Sequence, residues 1–123
     1  MPVSGLPPYD ETNIFARILR DEIPSRRVFE DEYAVAFHDI APAAPTHLLV
    51  IPRGRYVSLA DFSLHASSAE LAGFWRAVGL VARPFEADGY RVLANCGHDA
   101  GQEVAHFHVH VFAGRALGPM LAG

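Results

Sequence analysis

Apolar and polar positions alternate with two different periods along this chain, and the switches between them divide it into elements. Ile14, Phe15, Ile18 and Leu19 fall at helical spacing, with Thr12 as candidate N-cap and Ile23-Pro24 as the stop. Arg26 to Glu30 and Tyr33 to Asp39 predict two strands joined by an acidic turn at Asp31; in the second, Tyr33, Val35 and Phe37 alternate with Ala34, Ala36 and His38. The prolines of APAAP make a loop. His47 to Ile51 then predicts a largely buried strand ended by Pro52. Ser67 and Glu70 form a capping-box pattern ahead of Leu71, Phe74, Trp75, Val78, Val81 and Phe85, so a long helix is predicted there, weakened by Gly73 and Gly79. Tyr90 to Ala94 predicts a fourth strand. After the loop NCGHDAGQ, HFHVHVF at 106–112 predicts a fifth. Two helices on an antiparallel sheet, the longer one between the third and fourth strands, define an α+β domain.

The fifth strand carries the chemistry. His106, His108 and His110 share one face and Phe107, Val109 and Val111 the other, whereas a helix would scatter the histidines. Same-face neighbours lie ~6.6–7 Å apart, so two imidazoles can reach one zinc at ~2.0–2.1 Å per bond. The outer pair, ~13–14 Å apart, can do so only if the strand bends. The alternative is nucleophilic and acid/base chemistry: a neutral imidazole with a reference pKa of ~6.5 attacks, and its cation donates. A plain polar sheet face is the third reading.

Composition narrows the classes. The 123 residues are half hydrophobic and one-fifth charged, which suits a single globular domain, and they contain no repeat. The net charge of −4 with scattered basic residues offers no footprint for a nucleic-acid backbone. All ten basic residues are arginine, which excludes lysine chemistry. The lone Cys96 cannot form an internal disulfide. No stretch approaches the ~20 apolar residues of a membrane span, and the proline-rich residues 1–12 have no signal-peptide core. The expectation is a cytoplasmic protein with a flexible, frayed N-terminal tail over residues 1–12 and one domain over residues 13–123.

His-φ-His-φ-His-φ-φ, with φ apolar, is also the form of the motif of the histidine triad (HIT) family, and the chain resembles that family well beyond it. NIFARILRDEIPSRRVFEDEYAVAFHDIAPAAPTHLLVIPR is similar to the family's N-terminal half, and GYRVLANCGHDAGQEVAHFHVHVFAGR to its C-terminal signature. GRALGPMLAG is similar to the ending of bacterial members of the Hint, or histidine triad nucleotide-binding, branch.

The resemblance implies a HIT-like fold, a five-stranded antiparallel sheet with two helices, pairing as a homodimer whose sheets join. It implies His108 as the nucleophile that attacks an α-phosphate, His110 as a phosphate contact, and His106 and His47 as members of the positioning and proton network. Asn95, Gly101 and Gln102 would line the phosphate and leaving-group side. Ile14, Phe15, Ile18, Phe37, His38, Asp39 and Ile40 match a purine nucleoside pocket in which Asp39 accepts from the ribose hydroxyls; Asp39 could equally cap a turn, and Ile14 and Ile18 could be plain helix core.

Glu103 stands where the Hint branch usually has Ser or Thr, although other bacterial members carry Glu. A carboxylate beside a phosphate is unfavourable unless it is protonated, turned away or paired with a cationic leaving group. Ala100 replaces a frequent glycine, and Phe112-Ala113 the usual Leu-Gly. No chemistry is assigned to His65 or His98.

The activity implied is metal- and cofactor-independent hydrolysis of P–N bonds in AMP or GMP joined to an amine, through a nucleotidyl-histidine. The alternatives are dinucleoside polyphosphate hydrolysis, a nucleotide-binding or interaction module with weak turnover, and a metal-binding strand protein.

Overall fold

In a computed structural model that describes residues 2–121, every strand belongs to one antiparallel sheet. The elements run α1 (Ile14–Leu19), β1 (Arg27–Glu30), β2 (Ala34–His38), β3 (Thr46–Pro52), α2 (Leu59–His65), α3 (Ser68–Ala82), a 3₁₀ turn (Arg83–Phe85), β4 (Arg91–Leu93) and β5 (Val109–Ala113). The strand order is β1-β2-β3-β5-β4. Met1 of the expected tail, and Ala122 and Gly123 of the expected domain, lie outside the described residues. Among the described residues no helix is long and apolar enough to cross a membrane.

Alternation along the central strands distributes side chains between two apolar layers. Ala34, Ala36, Leu48, Val50, Phe107, Val109 and Val111 pack with Phe62 of α2 and Phe74, Ala77, Val78 and Val81 of α3. Phe62 links these elements, with its ring centroid 5.2 Å from those of both Phe74 and Phe107. Val35, Phe37, Leu49 and Ile51 point the opposite way, onto Phe15 and Ile18 of α1. The imidazoles share this second face, since His47 pairs with Phe112 and Leu49 with His110 across β3 and β5.

Ser67 and Glu70 form the predicted capping box, each accepting from the other's backbone N–H. Asn13, not Thr12, caps α1: its side chain accepts from Ala16 N at 2.9 Å, while the Thr12 hydroxyl and N–H are both taken by Asp10. Pro52 does not stop β3 but ends it as the final paired residue, opposite Ala34. α3 reaches only Ala82 before Pro84 tightens the next turn, and Trp75 on its stripe is 43% exposed. α2 has no counterpart in the sequence reading, because only Phe62 along it is buried and no stripe repeats.

The regular ladder of β5 begins at Val109, leaving His106 and His108 in the approach to it. There Phe107 N donates to Tyr56 O at 2.7 Å instead of to a strand. The alternation nevertheless persists: Phe107 lies in the α3 layer, and the rings of His106 and His108 face Phe15 of α1.

The expected frayed tail is packed against the domain. Val3 N donates to Gln102 O at 2.7 Å, and Gly5 is buried at φ +71°, where a Cβ would sit 2.8 Å from Gly97 N and Gln102 Oε1. Glycine is the residue that tolerates that backbone and that approach.

Candidate active site

The strand crossing that places β3 beside β5 brings His47 to His110, and hydrogen-bond geometry then assigns the proton on each ring. Ala43 N donates to His47 Nδ1 at 3.1 Å, so in the neutral ring the proton is on Nε2. His47 Nε2 is 2.8 Å from His110 Nδ1 and therefore donates to it, which leaves His110 with its proton on Nε2. His108 Nδ1 is 2.7 Å from His106 O; a carbonyl only accepts, so Nδ1 carries the proton and Nε2 a free lone pair. His106 Nε2 donates to Pro52 O at 2.8 Å in the same manner. Among the described residues neither His108 Nε2 nor His110 Nε2 has a protein partner.

Burial keeps these rings neutral. It lowers His106 to about 4, assisted by His108 and opposed by the bond to Pro52. It also lowers His110 to about 4, with the neighbouring His108 and His47 adding to the effect and Asp39 opposing it. His108 and His47 are pushed down by burial too, against the attraction of Asp39, and in His108 also against the bond to His106 O. The polar face considered for the histidine row is thus a set of neutral imidazoles, with His47, His106 and His108 buried and His110 partly so.

Ile14, Phe15, Ile18, Phe37, His38, Asp39, Ile40 and Glu103 line one cavity of about 790 Å³ beside the row. Phe15 forms its inner wall, edge-on to His108 at 5.0 Å and to Phe37 at 5.5 Å between ring centroids. Ile40, 96% exposed, stands at the rim. Asp39 closes a turn, one oxygen accepting from Ala41 N at 2.8 Å, while the other lies 3.4 Å from His47 Nε2, and the residue lines the cavity wall. Pro42, Leu49, Val104 and the segment Ile23 to Arg26 complete the wall, although the sequence pattern does not mark them as site residues. Ile23 and Pro24 served there only as a helix stop, and the cavity exists only once that segment folds against β2.

Asn95, Gly101 and Gln102 do not line this cavity. Asn95 is half-buried and Gly101 exposed at φ +76°. Gln102 is 1% exposed and turned inward: Oε1 accepts from Gly97 N at 2.8 Å, and Nε2 donates to Val57 O at 2.7 Å and Val104 O at 3.0 Å. With no polar atom of its side chain left over, it braces the loop and does not present a donor to ligand. His65 binds Asp61 on the surface, and His98 is exposed beside Asp99.

Among the described residues, Asp39, His47 and His110 are the group that could hold a metal ion, their ligand atoms lying within 4.8 Å of one another. Two imidazoles and a carboxylate suit zinc. The same nitrogens of His47 and His110 are already joined by a hydrogen bond, which an ion would have to replace.

Residues 20–117 match the HIT domain family. A HIT-like protein of Azospirillum brasilense is 64% identical over 115 residues, spanning 92% of this chain and 94% of its own. The purine nucleoside phosphoramidase of Escherichia coli (strain K12) is 42% identical over 117 residues, spanning 91% and 95%. Among solved structures, a HIT family hydrolase from Clostridium thermocellum superposes with a TM-score of 0.82 at 35% identity, covering 92% of this chain and 99% of that one.

Proposed function

The chain belongs to the HIT domain family, and from that premise we propose that it is a purine nucleoside phosphoramidase, a hydrolase that cleaves the P–N bond of AMP or GMP joined to an amine. The observation that carries the proposal is the protonation pattern: His108 offers a bare Nε2 and His110 an Nε2–H, on neighbouring rings with centroids 5.2 Å apart. A lone pair and a donor are what attack on a phosphoryl centre requires.

His108 Nε2 attacks the α-phosphorus, the P–N bond breaks with its electron pair going to nitrogen, and the amine departs with a proton taken from solvent, which the attacking water of the next step returns. Water then attacks phosphorus, releasing the nucleoside monophosphate and regenerating His108. His110 Nε2–H donates to a non-bridging phosphate oxygen, and the chain from Ala43 N through His47 holds that proton in place. Phe15, Ile18 and Phe37 offer the base an apolar slot. Asp39 accepts from the ribose hydroxyls. Nucleophile and oxygen-facing donor are both imidazoles, so the scheme calls for no metal or cofactor. Two copies would pair through the open edge of β4, where Tyr90 and Val92 are exposed.

The test is amine release from a fluorogenic AMP phosphoramidate in EDTA, comparing wild type with His108→Ala. Release by wild type alone is expected. A folded wild type inert on this substrate but active on a diadenosine polyphosphate would replace the proposal with polyphosphate hydrolysis, the reading that the departure at Glu103 keeps open.

A further inference from the structure

The packed N-terminal segment reaches the histidine row at one atom. Val3 and Gly5 seat it on the Gln102 loop, and Asp10 opens the turn that leads into the Asn13 cap of α1. Between these anchors Tyr9 bends inward. Its hydroxyl lies 2.6 Å from His106 Nδ1, and its ring meets the imidazole edge-on with centroids 5.6 Å apart.

We propose that Tyr9 is a positioning residue for the nucleophile, acting through His106; this rests on the reading of His108 as the attacking group. Because His106 Nε2 donates to Pro52 O, Nδ1 holds the lone pair, so the Tyr9 O–H is the donor. Burial raises the Tyr9 phenol, which keeps that proton in place. His106 is thereby held from two sides, by Tyr9 and by Pro52, in a place that solvent does not reach. The carbonyl of this same residue accepts from His108 Nδ1 at 2.7 Å and determines which nitrogen of the nucleophile is bare. Without the Tyr9 hydroxyl, His106 Nδ1 has no partner and the ring is held from the Pro52 side alone, which loosens the peptide that orients His108.

Tyr9→Phe keeps the edge-on ring contact and removes only the hydroxyl. Three quantities are read: kcat and KM for the AMP phosphoramidate, the imidazole ¹⁵N shifts of His106 and His108, and the melting temperature. The expected result is a kcat lowered roughly tenfold, the size of one lost hydrogen bond, with KM close to wild type, a melting temperature lower by about 5 °C for the buried nitrogen left unpaired, and a His106 Nδ1 ¹⁵N signal that moves downfield as its lone pair loses a donor, with a smaller shift at His108, while both rings keep their tautomers. A variant with wild-type kcat and unmoved shifts would overturn the proposal, leaving Tyr9 a packing residue. So would an unchanged kcat with a raised KM, which would place the segment's role in nucleotide binding. If the wild type is itself inert on phosphoramidates while Tyr9→Phe still shifts the His106 and His108 signals, the proposed activity fails and the positioning role stands.

Discussion

Replacing Gln102 by Leu separates two roles that a residue beside a histidine row could have. The side chain is 1% exposed and makes three hydrogen bonds, accepting from Gly97 N and donating to Val57 O and Val104 O. Leu fills much the same volume and can make none of them. Val57 is itself buried, so its carbonyl loses a partner that water cannot replace, at about 1–3 kcal/mol; the two half-buried partners add about 0.5–1.5 kcal/mol each. Greater apolar burial of Leu returns about 1 kcal/mol, which leaves a net loss of about 1–5 kcal/mol, centred on about 3 kcal/mol. For a domain of this size that corresponds to a melting temperature lower by about 10 °C. Urea titration and thermal melting followed by circular dichroism measure it directly. The folded fraction should retain kcat within a few-fold, because the side chain faces the loop and not the cavity. Gln102→Glu, with the same shape, turns two donations into contacts between oxygens and should fall further. A Leu variant that melts within about 2 °C of wild type but binds nucleotide poorly would refute this reasoning and return Gln102 to the phosphate side.

Acid should destabilise the fold through its buried imidazoles. His106 and His110 are lowered to about 4 from an ordinary value of 6.5, so between these pH values the unfolded chain binds protons that the folded chain does not. Stability is therefore full above pH 6.5 and falls as pH drops toward 4, by up to about 1.4 kcal/mol per pH unit from His106 and less from the more open His110. Urea unfolding free energies measured from pH 7.5 to 4.5 test this, and a flat profile down to pH 5 would contradict it. Two glycines in one helix should respond to alanine with opposite signs. At Gly73 a Cβ would lie 2.1 Å from Tyr33 Cδ2 and 2.4 Å from its Cγ, so Gly73→Ala should cost about 1–3 kcal/mol. At Gly79 no atom lies within 4 Å, and Gly79→Ala should gain about 1 kcal/mol. Melting both variants checks the pair, and shifts in the same direction would refute the placement of α3 on the sheet.

Local pattern alone determined much of this protein. A period of two puts His106, His108 and His110 on one face however the rest of the chain folds, and Ser67 with Glu70 starts a helix from four consecutive residues. Similarity of whole motifs to a known family supplied the expectation of a nucleoside pocket, and the structure gathers Ile14, Phe15, Ile18, Phe37, His38, Asp39 and Ile40 around one cavity. Gln102, from the C-terminal signature, turns its side chain inward onto its own loop, because residue identity does not say which way an amide turns. The helix over Leu59–His65 was missed because one buried phenylalanine makes no period.

Only tertiary structure decided what each imidazole can do. A histidine's proton sits where its partner allows, and the partners here are distant in sequence: His106 meets Pro52 from 54 residues away and Tyr9 from 97, and His110 meets His47 from 63. Sequence periodicity specifies which face a side chain occupies, since that depends on its own backbone. It does not specify what lies opposite, since that depends on which strands and segments meet. The proton on His110 is a property of those meetings, and the bare nitrogen on His108 depends on them through the carbonyl of His106, two residues before it, whose ring Pro52 and Tyr9 hold.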